Sequence, residues 1–281
     1  MEFVTLGSDH LDCSINLLGA ELHRLTGKDG RAWLWDGDPA YWSGRAPILF
    51  PIVGMLAGRA YRWEGRTYRL DKHGFARRRM FAVVARDPAS AMLRLSADDA
   101  TRDVYPFEFE LDLCFALTTA LTVTATVRNR GTGAMPFSFG FHPALRWPRD
   151  GAARLLFDQQ EKGPVWRMNG EGLLARREPL PGDGCSLPLD DALFADDAMI
   201  LRGVASRGLR FDAGDRSVRV AWSNLTDLGL WTKPGAPYLC IEPWAGFNDP
   251  AGFTGAINEK PGIVTLAPGS SWTASMTIEP M

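Results

Sequence analysis

The chain has 281 residues, with 31 lysines and arginines against 33 aspartates and glutamates, so its formal net charge is −2. This balance argues against a general nucleic-acid-binding protein, which would carry a basic face to meet the phosphates. With 46% hydrophobic and 23% charged residues, the composition is that of a soluble globular protein. The 29 glycines and 19 prolines interrupt the chain so often that an all-helical fold is disfavoured.

Short β-strands separated by turns are predicted along much of the chain. In chain order they lie at 60–70 with a central turn at Gly65, 91–96, 107–117, 121–128, 209–211, 217–222, 228–232, 238–242 and 272–278. The alternation of apolar and polar residues over 107–117 resumes after 118–120, which predicts an antiparallel hairpin. Only 100–104 and 190–194 have helical character. We therefore predict an all-β fold, an antiparallel sandwich or barrel, with residues 1–281 as a single domain.

The four cysteines are far apart and contain no C-x-x-C pair, so neither a zinc knuckle nor a dithiol redox motif is expected. We interpret them as reduced and mostly buried. The first residues lack the basic start and apolar run of a secretory signal. The longest apolar window, 46–57, contains two prolines and is far shorter than the ~20 residues of a membrane helix. These features predict a cytoplasmic protein without a membrane partner.

Three segments carry residues suited to chemistry. His73 precedes Gly74, which allows a close backbone approach, and His142 precedes Pro143. Glu242 ends an apolar run before Pro-Trp, where desolvation would raise its pKa towards a value useful for acid–base work. Taken singly, each histidine is better explained as structural, and the glutamate as a solvent-facing or arginine-paired carboxylate.

Their combination changes this interpretation, because the chain resembles the aldose 1-epimerase (galactose mutarotase) family, in particular its bacterial branch with hexose-phosphate mutarotase-like proteins. Six segments carry the resemblance in family order: Arg-Ala-Pro-Ile-Leu-Phe-Pro-Ile-Val-Gly at 45–54, His-Gly-Phe-Ala-Arg at 73–77, Gly-Phe-His-Pro at 140–143, Leu-Phe-Ala-Asp-Asp-Ala at 193–198, Ile-Glu-Pro-Trp at 241–244 and Glu-Lys-Pro-Gly at 259–262. The resemblance covers most of the chain and implies a large antiparallel β-sandwich of the galactose mutarotase type.

The resemblance also implies roles for individual residues. Glu242 would be the catalytic base and His142 the catalytic acid, on opposite sides of the sugar hemiacetal. His73 and Asp197 would contact sugar hydroxyls, although Asp196 adjoins Asp197 and a shift of one residue would exchange them. The implied reaction interconverts α and β anomers of a free aldose or a hexose 6-phosphate. It needs no cofactor and no metal.

Further substrate contacts are expected around this centre. The resemblance places Arg45 and Arg77 near the substrate, where a guanidinium would suit a sugar phosphate. Trp244, together with Trp231 and Phe247, is expected to form an aromatic wall for the apolar face of a sugar ring. The segment after Gly54 reads Met-Leu, where relatives often have an arginine.

Two other functions remain open at the level of sequence. One is a non-catalytic carbohydrate-binding protein, and the other is an accessory module of a glycosidase or polysaccharide lyase, since the same sandwich occurs there. His142 and Glu242 favour catalysis, because a binding module needs no acid–base pair. A glycosidase would be expected to show two carboxylates instead. The sequence leaves open which sugar is used and whether the protein is a monomer or a homodimer.

Overall fold

The computed structural model describes residues 2–281, which are mostly β. The strands are β1 (Phe3–Gly7), β2 (Leu11–Asn16), β3 (Glu21–Gly27), β4 (Ile48–Leu49), β5 (Ala60–Trp63), β6 (Arg66–Arg69), β7 (Ala82–Arg86), β8 (Ser90–Ser96), β9 (Phe109–Leu117), β10 (Leu121–Asn129), β11 (Met135–Phe137), β12 (Phe139–Phe141), β13 (Ala144–Arg146), β14 (Ala153–Phe157), β15 (Val165–Met168), β16 (Leu174–Glu178), β17 (Ser186–Leu189), β18 (Met199–Leu201), β19 (Gly208–Ala213), β20 (Arg216–Ser223), β21 (Asp227–Trp231), β22 (Tyr238–Ala245), β23 (Val264–Leu266) and β24 (Ser271–Pro280). The helical segments are α1 (Asp99–Arg102) and the 3-10 turns Ala57–Arg59, Ala76–Arg78, Asp191–Phe194 and Ile257–Glu259.

Two large antiparallel sheets form the sandwich. One has nine strands in the order β17-β14-β19-β20-β24-β10-β9-β8-β7, and the other has eight, in the order β16-β15-β18-β21-β22-β12-β4 with β13 also paired to β22. The main cluster of buried apolar side chains runs from Val4 to Ile278 and draws on both sheets. The predicted all-β antiparallel sandwich is confirmed, and the single domain over residues 1–281 stays a prediction.

The hairpin predicted from the alternating pattern is β9 and β10. The strand begins at Phe109 rather than at residue 107, and the two strands pair from Leu121 opposite Leu117 onwards. Alternate side chains of both strands are buried, and the threonines of β10 lie on the other face. The two expected helical segments are shorter than an ordinary helix: one is the four-residue α1 and the other is the 3-10 turn at Asp191–Phe194.

Strand β22 is the part of the fold that positions the candidate site. All eight of its residues are buried, with β21 on one side and β12 and β13 on the other. Leu239 and Ile241 belong to the main core. Cys240, Glu242 and Trp244 alternate to the opposite face of the sheet, where Glu242 and Trp244 line a cavity.

The cysteines are unpaired within the described residues: Cys13 and Cys240 are buried, Cys114 is half-buried and Cys185 is exposed. The expectation of mostly buried thiols therefore holds for two of the four. Between residues 2 and 281, none of the helices has the length and apolar character needed to cross a bilayer.

Candidate active site

A cavity of about 260 Å³ opens above β22 and holds six of the seven residues expected at the site. Its volume is near the lower end of the range of about 300–1,000 Å³ typical of small-molecule sites. The residues that line it are Trp42, Pro47, Lys72, His73, Arg77, His142, Met168, Asp197, Ala198, Ile200, Trp231, Lys233, Glu242, Trp244 and Asn248.

His142 and Glu242 form a cross-strand pair at the floor of this cavity. Gly140 pairs with Trp244 and Ala144 with Cys240, so His142, in the gap between β12 and β13, lies opposite Glu242. Side chains opposite each other in an antiparallel pair share one face of the sheet. The Nε2 atom of His142 accordingly lies 3.2 Å from Oε2 of Glu242, and both side chains are buried.

This contact corrects the expectation that the two groups lie on opposite sides of the sugar. At 3.2 Å apart they are neighbours on one wall of the cavity. This arrangement is compatible with the expected chemistry, because the anomeric hydroxyl and the ring oxygen are bonded to the same carbon and adjacent acid and base groups can reach both.

Burial governs the protonation of the pair. Desolvation raises the pKa of Glu242 well above its usual value, with Lys72 opposing this shift. Desolvation also lowers the pKa of His142 to about 3. The buried pair therefore favours a neutral form with one proton, held by the carboxyl group in contact with the imidazole.

His73 reaches the cavity from a loop with a constrained backbone. Its φ is +66°, and that of Gly74, the next residue, is +69°. Position 74 must be glycine, because a Cβ there would lie 2.3 Å from the carbonyl oxygen of Phe50. The Nδ1 atom of His73 accepts the backbone N–H of Gly54 at 3.1 Å. Burial lowers the pKa of His73 well below its usual value, so the neutral ring carries its proton on Nε2 and has a hydrogen-bond donor there.

The structure separates the two adjacent aspartates. Asp197 lines the cavity, and its Oδ1 accepts the N–H of Ala198 at 2.9 Å. Asp196 is exposed and lies 2.6 Å from Nη2 of Arg176, outside the cavity. Asp197 is therefore the one whose carboxylate can meet a ligand bound beside Glu242.

Three cations line the cavity, and only one of them was expected. Arg77 donates to the carbonyl oxygen of Lys72 at 2.9 Å, and Lys72 and Lys233 complete the set. Within residues 2–281, none of the three forms an ion pair with a carboxylate. Arg45 does not line the cavity; its guanidinium donates to the carbonyl oxygen of Asp36.

Trp244 lies across two glycines of the neighbouring strands. A Cβ on Gly140 would come within 2.4 Å of the indole, and one on Gly229 within 2.5 Å, so both positions must lack a side chain. The indole Nε1 is buried and has no hydrogen-bond partner among residues 2–281. Trp231 also lines the cavity, whereas Phe247 does not and belongs to the same buried cluster as Trp244.

This arrangement predicts the effect of Gly229→Ala. The added methyl group overlaps the Trp244 ring, which must rise into the cavity, so we expect KM for a sugar to increase roughly tenfold with a smaller change in kcat. Overpacking should also lower the free energy of unfolding by about 1–3 kcal/mol. Steady-state kinetics measures the change in KM, and urea unfolding measures the change in the free energy of unfolding. Gly133→Ala is the control, because nothing lies within 4 Å of its Cβ position; equal kinetics of the two variants would contradict the prediction.

Sequence reasoning missed several residues of the lining, notably Trp42, Lys72 and Asn248. The Trp42 ring packs on His142, with centroids 5.2 Å apart and an interplanar angle of 32°. Lys72 directly precedes His73, and this adjacency was the one signal that could have indicated it. Asn248 is fixed by donating to the carbonyl oxygen of Gly172 at 2.7 Å, a long-range contact that has no local sequence signal.

Comparisons with known proteins identify the family. A family model described as aldose 1-epimerase matches residues 2–279. The chain is 30% identical to protein LacX of Lactococcus lactis subsp. lactis over 283 aligned positions, covering 94% of this chain and 95% of LacX.

Solved structures agree as well. A galactose mutarotase-like protein from Lactobacillus casei ATCC 334 has a TM-score of 0.94 at 28% identity, with 100% of both chains covered. A galactose mutarotase related enzyme from Lactobacillus acidophilus also has a TM-score of 0.94, at 27% identity, covering 100% of this chain and 97% of that one. The chain belongs to the aldose 1-epimerase family.

Proposed function

We propose that the protein is a mutarotase that interconverts the α and β anomers of an aldose by acid–base ring opening and closure. The observation that supports this most directly is the buried contact of 3.2 Å between His142 and Glu242 in the floor of a cavity. A binding module would gain nothing from a desolvated acid–base pair, whose burial costs free energy. A glycosidase acts through two carboxylates; Asp197 also lines the cavity, but the group in contact with Glu242 is the imidazole of His142.

In the proposed reaction, the carboxylate of Glu242 takes the proton of the C1 hydroxyl while Nε2 of His142 protonates the ring oxygen. The C1–O5 bond breaks and the open aldehyde forms. Rotation about C1–C2 presents the other face of the carbonyl group. The same two protons then return along the reverse path, so the pair regains its starting protonation without a cofactor.

In the reaction above, Glu242 begins as a carboxylate and His142 as an imidazolium, whereas burial favours the neutral pair in which Glu242 holds the proton. The contact between the two side chains connects these two forms. A proton on Oε2 of Glu242 needs only to cross 3.2 Å to reach Nε2 of His142. The charge of Lys72 lowers the pKa of both groups, so it favours the Glu242 carboxylate and disfavours the His142 imidazolium.

The remaining lining residues would bind the sugar. His73 would donate its Nε2 proton to a hydroxyl oxygen, and Asp197 would accept from hydroxyl groups. The Trp244 indole would cover the apolar face of the ring. A hydrogen-bonding site of this kind favours a substrate whose hydroxyls match the donors and acceptors.

A phosphorylated aldose is the second candidate substrate. The cations Lys72, Arg77 and Lys233 favour it, because none has a carboxylate partner among the described residues. A more open cavity of about 710 Å³ adjoins the site and shares Lys72 and Asp197 with it, which gives space for a substituent. Arg45, the other expected phosphate contact, lies outside both cavities.

Polarimetry on freshly dissolved α-glucose, α-galactose and α-glucose 6-phosphate tests the proposal. We expect acceleration above the spontaneous rate for at least one of them. If the phosphorylated sugar is preferred, Lys72→Met should remove that preference, and Lys162→Met, an exposed lysine outside both cavities, is the control. Binding of sugars without any acceleration would support the non-catalytic alternative.

We also propose a cytoplasmic location. The unpaired thiols support it, because disulfides are rare in the cytosol.

The pKa shifts predict a broad pH profile for kcat/KM. The active pair holds one proton; a second would have to enter His142, whose pKa is lowered to about 3 by burial. Activity should therefore persist below the ordinary histidine and glutamate values, and it should fall only when Glu242, with its raised pKa, loses its proton at high pH. Rates corrected for spontaneous mutarotation between about pH 4 and 9 test this. A narrow bell with limbs near the usual values of about 4.3 and 6.5 would contradict it.

A further inference from the structure

Strand β22 places a third metal-binding side chain beside the proposed acid–base pair. Cys240 is two residues before Glu242 and thus on the same face of the sheet. One donor atom from each of His142, Cys240 and Glu242 lies within 4.8 Å of the others, and all three residues are buried. Cys240 does not line the cavity and has no role in the proposed ring opening.

We propose that Zn²⁺ binds to His142, Cys240 and Glu242 and inhibits the protein. Imidazole nitrogen, thiolate sulfur and carboxylate oxygen are the three ligand types of protein zinc sites. A tetrahedral ion with three protein ligands keeps a fourth position for water or a sugar hydroxyl, here on the side of the cavity. An ion bound to Nε2 of His142 and Oε2 of Glu242 blocks the two atoms that would transfer protons to and from the sugar.

The charge balance allows the ion to be buried. Binding displaces the thiol proton of Cys240 and the proton shared by His142 and Glu242, so two protons leave for each Zn²⁺. Thiolate, carboxylate and Zn²⁺ then sum to zero charge, which avoids the cost of an uncompensated charge in the interior. The nearby cations Lys72 and Arg77 oppose a divalent ion, and they make the site weaker than a structural zinc site.

Direct metal binding can be measured without any enzymatic activity. Zn²⁺ competition with a chromophoric chelator, and the near-ultraviolet thiolate absorption of bound Cd²⁺, are compared for the parent and Cys240→Ser. We expect the parent to bind one Zn²⁺ per chain and the variant to bind at least about tenfold more weakly, because even the loss of outer-shell partners costs 10–100-fold. Cys13→Ser, another buried thiol, and Cys185→Ser, an exposed one, are controls that should bind like the parent.

Inhibition is the second measurement, and this part depends on the proposed function. Zn²⁺ should inhibit mutarotation by the parent reversibly, EDTA should restore the rate, and Cys240→Ser should keep its metal-free activity while becoming at least about tenfold less sensitive. Equal zinc affinity of parent and Cys240→Ser would overturn the site, as would loss of tight binding in Cys185→Ser. If the parent binds Zn²⁺ through Cys240 but has no mutarotase activity, the site stands and only the proposed function fails.

Discussion

Glu242→Gln should lower kcat for mutarotation by roughly 10²–10⁴-fold, the loss typical of removing a general base. Glutamine keeps the size of the side chain and can still hydrogen-bond to His142, but it cannot take the C1 hydroxyl proton. KM should change little, because the contacts to the other hydroxyls remain. Anomer exchange measured by NMR at saturating sugar separates the two parameters.

The same variant should unfold at a temperature equal to or above that of the parent. Burial raises the pKa of Glu242 in the folded protein, so its contribution to stability is lost as pH rises above the usual value of a glutamate. Glutamine has no ionised form, so the free energy of unfolding of the variant does not decrease with pH for this reason. The difference in melting temperature should therefore increase with pH.

Glu161→Gln is the matched control, since Glu161 is also buried but lies outside the cavity. Its two carboxylate oxygens accept the N–H groups of Ser206 at 2.8 Å and Ala205 at 2.9 Å. An amide would leave one N–H unpaired, which costs about 1–3 kcal/mol of stability. We expect this variant to be less stable and fully active. Near-parental activity of Glu242→Gln would mean that the base is another residue.

The strands were predictable because their side chains alternate locally. The predicted strand 238–242 ended at Glu242, just before Pro243. In the structure β22 continues through Pro243 to Ala245. The ladder on one side is interrupted beside this proline, between the end of β12 and the start of β13, and the same gap holds His142 opposite Glu242.

The parts of the site that could not be predicted depend on pairing between distant strands. No sequence pattern links Gly140 and Gly229 to Trp244, and only the register places them on either side of it. The contact between His142 and Glu242 was also unpredictable, because the separation of two residues along the chain does not determine their distance in space. The resemblance to a family could suggest which residues act, but the side-by-side geometry required the fold.

His142→Gln should lower kcat by roughly 10²–10⁴-fold, because the amide occupies the place of Nε2 without exchanging a proton with the ring oxygen. His23→Gln is the control, since His23 is half-buried in β3 and outside the cavity. We expect this control to retain parental kinetics. Full activity of His142→Gln would exclude the proposed acid.

The double variant Glu242→Gln, His142→Gln distinguishes one proton-transfer unit from two independent contributions. If the two groups act in a single cycle, removing either already stops it, and the second substitution should add far less than its own single effect. Contacts of 3.2 Å also couple energetically, whereas distant sites add within about 0.3–0.5 kcal/mol. Losses that multiply fully across the two substitutions would show that the two residues act in separate steps. The contact between them would then be a consequence of β-sheet register alone.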